Sequence, residues 1–223
     1  MKLFLIKFFL IIVFLTFGSA RGENFNTEYI VVSSGIKIGV FNWSLKTSEN
    51  KYETIIYLEN AGILSPLYNF EGTYISKGVI ENNKYKTQEY KQYWKTKKKT
   101  KIVEISFNDY LEKLYQNPEE KEFPRIDVYS LFQYFDPITS FLNILNGGDK
   151  INVIDGRRVY TMKRVFPNEK KNITLEIKNY NNIWADHKRN DLKKIEFFMK
   201  NEFFLPEKIY IYFKNRLFKL KKI

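Results

Sequence analysis

The chain of 223 residues contains no cysteine. That excludes a disulfide framework, a thiolate metal site and the lipid-modified cysteine that tethers a bacterial lipoprotein. Histidine is nearly as scarce. His187 stands alone in the polar stretch 181–191, and one imidazole without thiolate partners is a poor basis for a transition-metal site. No Gly-x-Ser-x-Gly turn, phosphate loop or His-Glu-x-x-His helix occurs, so nucleophilic, phosphoryl-transfer and zinc-protease chemistries lack a sequence basis. The close carboxylates, Glu119-Glu120 with Glu122 and Asp186 with Asp191, fall in lysine-rich polar stretches and read as ion-balanced surface. Glycoside hydrolysis needs two carboxyls held across a cleft, which adjacency in sequence does not supply. No catalytic residue, no metal and no cofactor is expected.

Long apolar runs are also missing, except at the N-terminus. Met1-Lys2 is followed by Leu3 to Phe17, apolar apart from Lys7 and Thr16, then by Gly18-Ser19-Ala20 ahead of Arg21-Gly22-Glu23-Asn24. The apolar stretch after Lys7 is roughly ten residues, well short of the about 20 that a spanning helix needs. The expectation is a signal peptide over residues 1–20, cut after Ala20, and one β-rich domain over 21–223 in the periplasm with no transmembrane span. The alternative is an uncleaved N-terminal anchor.

What is abundant is positive charge and aromatic surface. Lys and Arg number 37 against 25 Asp and Glu, and there are 20 Phe and 16 Tyr, ample for a packed interior or a lined cavity. The basic balance favours an anionic envelope partner, although an AT-rich genome also over-supplies lysine. The run Lys95-Thr96-Lys97-Lys98-Lys99-Thr100-Lys101, beside Tyr90, Tyr93 and Trp94, reads as a basic hairpin loop. It suits anionic lipid headgroups or polymers, or protection of a sheet edge. Nucleic acid is an unsuitable partner for an exported protein.

Period-two alternation dominates the rest. Residues 27–46 give two strands about a Ser34-Gly35 turn, and beside Gly39 the apolar phase changes so that Phe41, Trp43 and Leu45 carry the bulk, which predicts a β-bulge. Further strands are predicted over 52–58, 67–75, 84–94, 102–107, 151–154, 158–165, 173–177, 194–199, 208–213 and 216–220. Asp155-Gly156 is a hairpin signal, and Asn215 marks another turn.

Residues 127–146 break this pattern and predict two helices. Asp127 caps the first, with Val128, Leu131, Phe132 and Phe135 at i, i+3, i+4 and i+7. Asp136 caps the second, with Pro137 at its first position, Ile138, Phe141, Leu142 and Leu145 on one face, and Gly147-Gly148 at its exit.

Several short stretches, in this order, resemble a bacterial family of exported proteins known as domain of unknown function 3108. They are Tyr29-Ile30-Val31-Val32 with Gly35-Ile36-Lys37-Ile38-Gly39, Phe70-Glu71-Gly72, Asp136-Pro137-Ile138-Thr139-Ser140, Asp155-Gly156-Arg157-Arg158-Val159-Tyr160 and Leu205-Pro206-Glu207-Lys208-Ile209. The resemblance implies an envelope location and no reaction. It also implies a curved antiparallel sheet like that of the lipoprotein carriers LolA and LolB, with helices over the concave face. Family members commonly carry a cysteine in the C-terminal half that is missing here, so no redox or disulfide role is carried over.

The fold class expected is mainly β (α+β), a single curved sheet or half-open β-barrel with two short helices on the concave face. The leading functional expectation is a non-catalytic carrier of a lipid or other hydrophobic ligand. Its site would comprise Phe41 and Trp43 on the sheet with Leu131, Phe132, Phe135, Ile138, Phe141, Leu142 and Leu145 on a helical lid, for which Gly147-Gly148 is the candidate joint if it moves. The same stripe also serves a dry packed core. The runner-up is a structural protein docking on an envelope partner through its basic surface.

Overall fold

A computed structural model of the chain describes residues 22–62, 65, 69–165, 172–185, 191–200 and 204–223. His187 and Asp186 lie outside these residues. The β-rich expectation holds: the described residues form one 14-stranded sheet, curled until its two edges nearly meet.

Seven strands run as a meander, β1 (Asn24–Ser33), β2 (Ile36–Ser48), β3 (Lys51–Asn60), β4 (Phe70–Glu81), β5 (Lys84–Thr96), β6 (Thr100–Asn108) and β7 (Tyr110–Asn117). A short β8 (Tyr134–Phe135) precedes the helix α1 (Pro137–Leu145). A second meander follows, β9 (Lys150–Ile154), β10 (Arg158–Arg164), β11 (Asn172–Asn182), β12 (Leu192–Phe198), β13 (Lys208–Phe213) and β14 (Arg216–Lys222). The meanders join where β1 pairs antiparallel with β14, from Tyr29 opposite Lys222 to Ser33 opposite Phe218. That junction leaves β7 and β8 as the sheet's edges. They approach each other through an antiparallel bridge between Tyr110 and Phe132.

The local chemistry explains the turns. Ser34 and Gly35 both have positive φ, as do Lys214 and Asn215, giving two-residue hairpins whose twist matches the strands. The bulge expected beside Gly39 is present: Val31 faces Gly39 and Val32 faces Lys37, so Ile38 is the extra residue. Downstream of it Trp43 and Leu45 turn into the interior and are fully buried. The Lys95–Lys101 run is indeed a hairpin loop, with the Thr96 hydroxyl accepting from the Lys98 and Lys99 amides.

Of the two predicted helices, only the second forms. Asp136 caps it by accepting from the amides of Ile138 (2.8 Å) and Thr139 (3.1 Å), and Gly147, at φ 97°, ends it. The first is a correction. Asp127 caps a single 3-10 turn over Val128–Ser130, after which Leu131 is already extended and Gln133 has positive φ. The reason is competition for backbone partners. Phe132 bridges β7, and Tyr134 and Phe135 pair in parallel with Asn152 and Val153. A β-branched and aromatic segment beside an open sheet edge gains more from pairing there than from coiling on itself.

Inside the curled sheet α1 is embedded in the core. Ile138, Leu142 and Ile144 are fully buried with Trp43, Tyr90 and Phe197. Each such side chain contributes roughly 1.5–3 kcal/mol.

Candidate functional site

The nine apolar positions predicted as a ligand site are dispersed through this packing. Trp43, Ile138 and Leu142 are fully buried, and the Trp43 indole donates to the Thr54 hydroxyl at 3.0 Å. Phe41, Leu131, Phe135, Phe141 and Leu145 are partly buried and packed against the core, Phe41 lying edge-on to Trp43 and Phe141 edge-on to Phe197. Phe132 is half exposed and packs at a tilt against the Tyr110 ring across the seam. Neither of the two clefts described below is lined by any of the nine.

Polar chemistry instead reaches into the interior. The Asp136 carboxylate, fully buried, accepts through Oδ2 from the hydroxyls of Thr87 (2.6 Å), Ser76 (2.8 Å) and Thr139 (2.5 Å). The Tyr52 hydroxyl closes the group at 2.7 Å from that of Thr139. Burial raises the Asp136 carboxyl above its ordinary value against the opposing pull of these hydrogen bonds. Tyr52 also lines a cleft of about 430 Å³ with Lys46, Lys51, Glu53, Lys77 and Glu89. One turn further along α1, Asn143 takes the Tyr85 amide on Oδ1 and gives Nδ2 to the Tyr85 carbonyl, both at 2.8 Å. Pairing of β5 with β6 begins only at Glu89, so Asn143 stands where a neighbouring strand would otherwise be.

The larger cleft, about 590 Å³, lies at the seam. One wall is the C-terminal part of β7, Leu114 to Asn117, and the other is the following segment from Glu119 to Pro124, with Trp184 completing it. Behind it the β9–β10 turn is held in place from several sides. Asp155 Oδ1 accepts from the amides of Arg157 (2.8 Å) and Arg158 (2.7 Å). The Gly156 carbonyl accepts from Gln116 Nε2 (2.6 Å) and the Trp184 indole (3.4 Å). Arg157 pairs with Glu120, and the Arg125 amide donates to the Ile183 carbonyl at 2.6 Å.

This arrangement leaves one polar atom unpaired beneath the cleft wall. Gln116 lines it, is only 8% exposed, and its Oε1 has no hydrogen-bond partner among the described residues. Buried acceptors are ordinarily paired, which makes this one informative. Aromatic surface flanks it, with Phe123 90% exposed and Tyr115 45% exposed. Beside the turn, burial and then the neighbouring Arg157 and Lys99 charges hold the Lys101 ammonium below its ordinary value, so the basic hairpin abuts the seam.

Sequence reasoning missed this place. Tyr110–Asn117 was not predicted as a strand, because Leu111 and Leu114 sit at helical spacing among Glu112, Lys113 and Gln116. The Glu119-Glu120-Glu122 set was read as plain surface. The available signal was the Asp155-Gly156-Arg157-Arg158 turn, whose Arg157 had a role only once Glu120 was beside it. Among the described residues, no three His, Asp or Glu side chains assemble as a metal site, and no helix is long and apolar enough to cross a membrane.

Fold and cleft together define a mainly β, barrel-like domain with an open polar and aromatic groove along its seam. The chain belongs to the DUF3108 family, a family of proteins of unknown function, whose model matches residues 24–200. The resemblance drawn at Leu205-Pro206-Glu207-Lys208-Ile209 lies beyond that match. The chain is also similar to the crystal structure of a beta-barrel-like protein of domain of unknown function DUF1849 from Brucella abortus. The two share 11% identity at a TM-score of 0.48, over 89% of this chain and 95% of that one. No curated protein matches the chain.

Proposed function

We propose that the protein is exported to the cell envelope and acts there as a non-catalytic binding protein that takes its ligand in the seam cleft. The carrying observation is the cleft itself. Its volume falls within the roughly 300–1,000 Å³ of ligand sites, and it combines the exposed aromatic faces of Phe123 and Tyr115 with the amide side chains of Gln116 and Asn117. The leader-like residues 1–20 support export to the periplasm. The helix stripe by itself suggests a hydrophobic ligand, but an acyl chain among those residues would have to displace packed side chains, which favours the seam cleft.

A second reading, docking on an anionic envelope partner, draws on the β5–β6 hairpin. There Lys99, Lys101 and Arg157 gather, and burial first, then the Arg157 and Lys99 charges, hold the Lys101 ammonium below its ordinary value.

Native mass spectrometry with solvent extraction, on protein purified gently from a bacterial periplasm, tests the first reading. A bound mass lost in Phe123→Ala supports the cleft. A lipid mass lost instead in Phe135→Ser with Phe141→Ser moves the site to the interior. A clean apo mass that takes up no added ligand leaves docking.

A further inference from the structure

Resting on the seam cleft as the binding site, we infer that its ligand is an uncharged, polyhydroxylated molecule of the saccharide class. Three features of the lining converge on that chemistry.

The first is exposed aromatic surface on Tyr115 and Phe123, with the partly buried Trp184 beside it. Tyr115, Phe123 and Trp184 line one groove, and the exposure of Phe123 is extreme for a phenylalanine. Flat aromatic faces carry a negative quadrupole, which suits the polarised C–H groups of a sugar ring as well as a cation. The second feature separates those two. Two of the groove's carboxylates already have cations to hand, Glu120 pairing with Arg157 and Glu122 approaching Arg125 at 3.8 Å, and Lys121 offsets Glu119 in the overall charge of the lining. Little net charge is left for a charged ligand, so the match is to a neutral one.

The third is the mixture of hydrogen-bonding groups. Gln116 lines the groove with its amide held by the Nε2 bond to the Gly156 carbonyl, its Oε1 being closed off from solvent. Asn117 beside it offers both a donor and an acceptor. A hydroxyl both gives and accepts a proton, so a row of hydroxyls satisfies such a wall where an acyl chain cannot.

The test is calorimetric titration of the purified protein with chitotetraose, cellotetraose and maltotetraose, following the Trp184 indole N–H by NMR. The expected result is saturable binding of at least one of them with a dissociation constant on the order of 1 mM or tighter. The Trp184 resonance shifts, affinity falls about tenfold in Phe123→Ala and in Tyr115→Ala, and it is unchanged in Tyr129→Ala, an exposed aromatic outside the groove. Phe123 is almost wholly exposed, so its replacement does not endanger folding.

Failure of all three sugars, or binding indifferent to Phe123 and Tyr115, overturns the inference. If the periplasmic protein still carries a non-sugar mass lost in Phe123→Ala, or if the groove instead takes an extended peptide, the cleft stands as the site and only the saccharide class falls. If no ligand of any kind depends on Phe123, both fall.

Discussion

The Thr87 hydroxyl donates to the Asp136 carboxylate at 2.6 Å, joining β5 to the first turn of α1 inside the curled sheet. Ser76 does the same from β4, so the residue that caps the helix also ties it to two strands. Removing that carboxylate strands three hydroxyl donors and two helix amides in a dry interior. Asp136→Ala is expected to lower unfolding stability by about 3–5 kcal/mol, whereas Thr87→Val, which removes one donor of the set, costs about 1–2 kcal/mol. Urea denaturation of the two variants checks the ordering.

The same burial sets a pH dependence. Asp136 and Asp155 both have carboxyls raised above the ordinary 3.8, burial being the main cause in each, so the native state holds these protons more tightly than the unfolded chain does. Their contribution to stability is complete below 3.8 and is lost as pH rises through the folded values. Asp136→Asn, which mimics the protonated shape and does not titrate, is expected to match the wild-type protein most closely at low pH and to gain stability relative to it as pH rises across that window. Carbon NMR titration should place both carboxyl midpoints above 3.8. A midpoint at or below it for Asp136 would show that the hydroxyl shell outweighs burial.

Asn143 substitutes for a missing strand at Tyr85, and a side chain of equal size but different donors cannot do so. Asn143→Asp turns a donor toward the Tyr85 carbonyl into an acceptor, and Asn143→Ala leaves both Tyr85 backbone groups unpaired. Each is expected to cost about 2–4 kcal/mol, with exchange of the Tyr85 amide accelerated at least as much as the global change requires. Amide hydrogen exchange and thermal unfolding together measure this.

How much of this the sequence disclosed depended on whether the signal was local. Strand alternation, the bulge beside Gly39, the Asp136 cap with Pro137, and the turns at Ser34-Gly35 and Asp155-Gly156 all follow from residues within a few positions of one another. They are legible for that reason. The segment Val128–Phe135 carries a helical period that loses to pairing with β7 and β9, partners far away in the chain. The seam cleft was illegible for a related reason, since Gln116, Trp184 and Gly156 become neighbours only when a 14-stranded sheet returns on itself. The apolar stripe of α1 announces a face that needs apolar cover, but periodicity cannot distinguish a face that meets a ligand from one that meets Trp43 and Phe197.

The seam is held by a handful of contacts where continuous sheet would have many, and it should therefore open before the rest. Glu120→Gln removes the charge that meets Arg157, and Phe132→Ala removes the ring packed against Tyr110. Each is expected to accelerate amide exchange across β7 and residues 118–135 while leaving β1, β2 and β14 protected and the unfolding midpoint within about 1 kcal/mol of the parent. Uniform acceleration across all strands would mean instead that the seam unfolds only with the whole molecule.

Gly156 shows why the β9–β10 turn admits no other residue. Its φ of 86° lies in the region that side chains avoid, and a Cβ there would run into the Val103 methyl on β6. Two costs are thus combined in Gly156→Ala, backbone strain of about 1–2 kcal/mol and an overlap that Val103 must relieve by moving, together about 2–4 kcal/mol. They can be separated, because Val103→Ala clears the space but does nothing for the backbone. The double variant should be more stable than the sum of its singles predicts by about 1 kcal/mol, while remaining less stable than Val103→Ala alone by the strain term. Simple additivity in urea denaturation would show that the turn relaxes away from β6. In that case the Gln116 and Trp184 bonds to the Gly156 carbonyl should weaken, visible as faster exchange of the Trp184 indole proton.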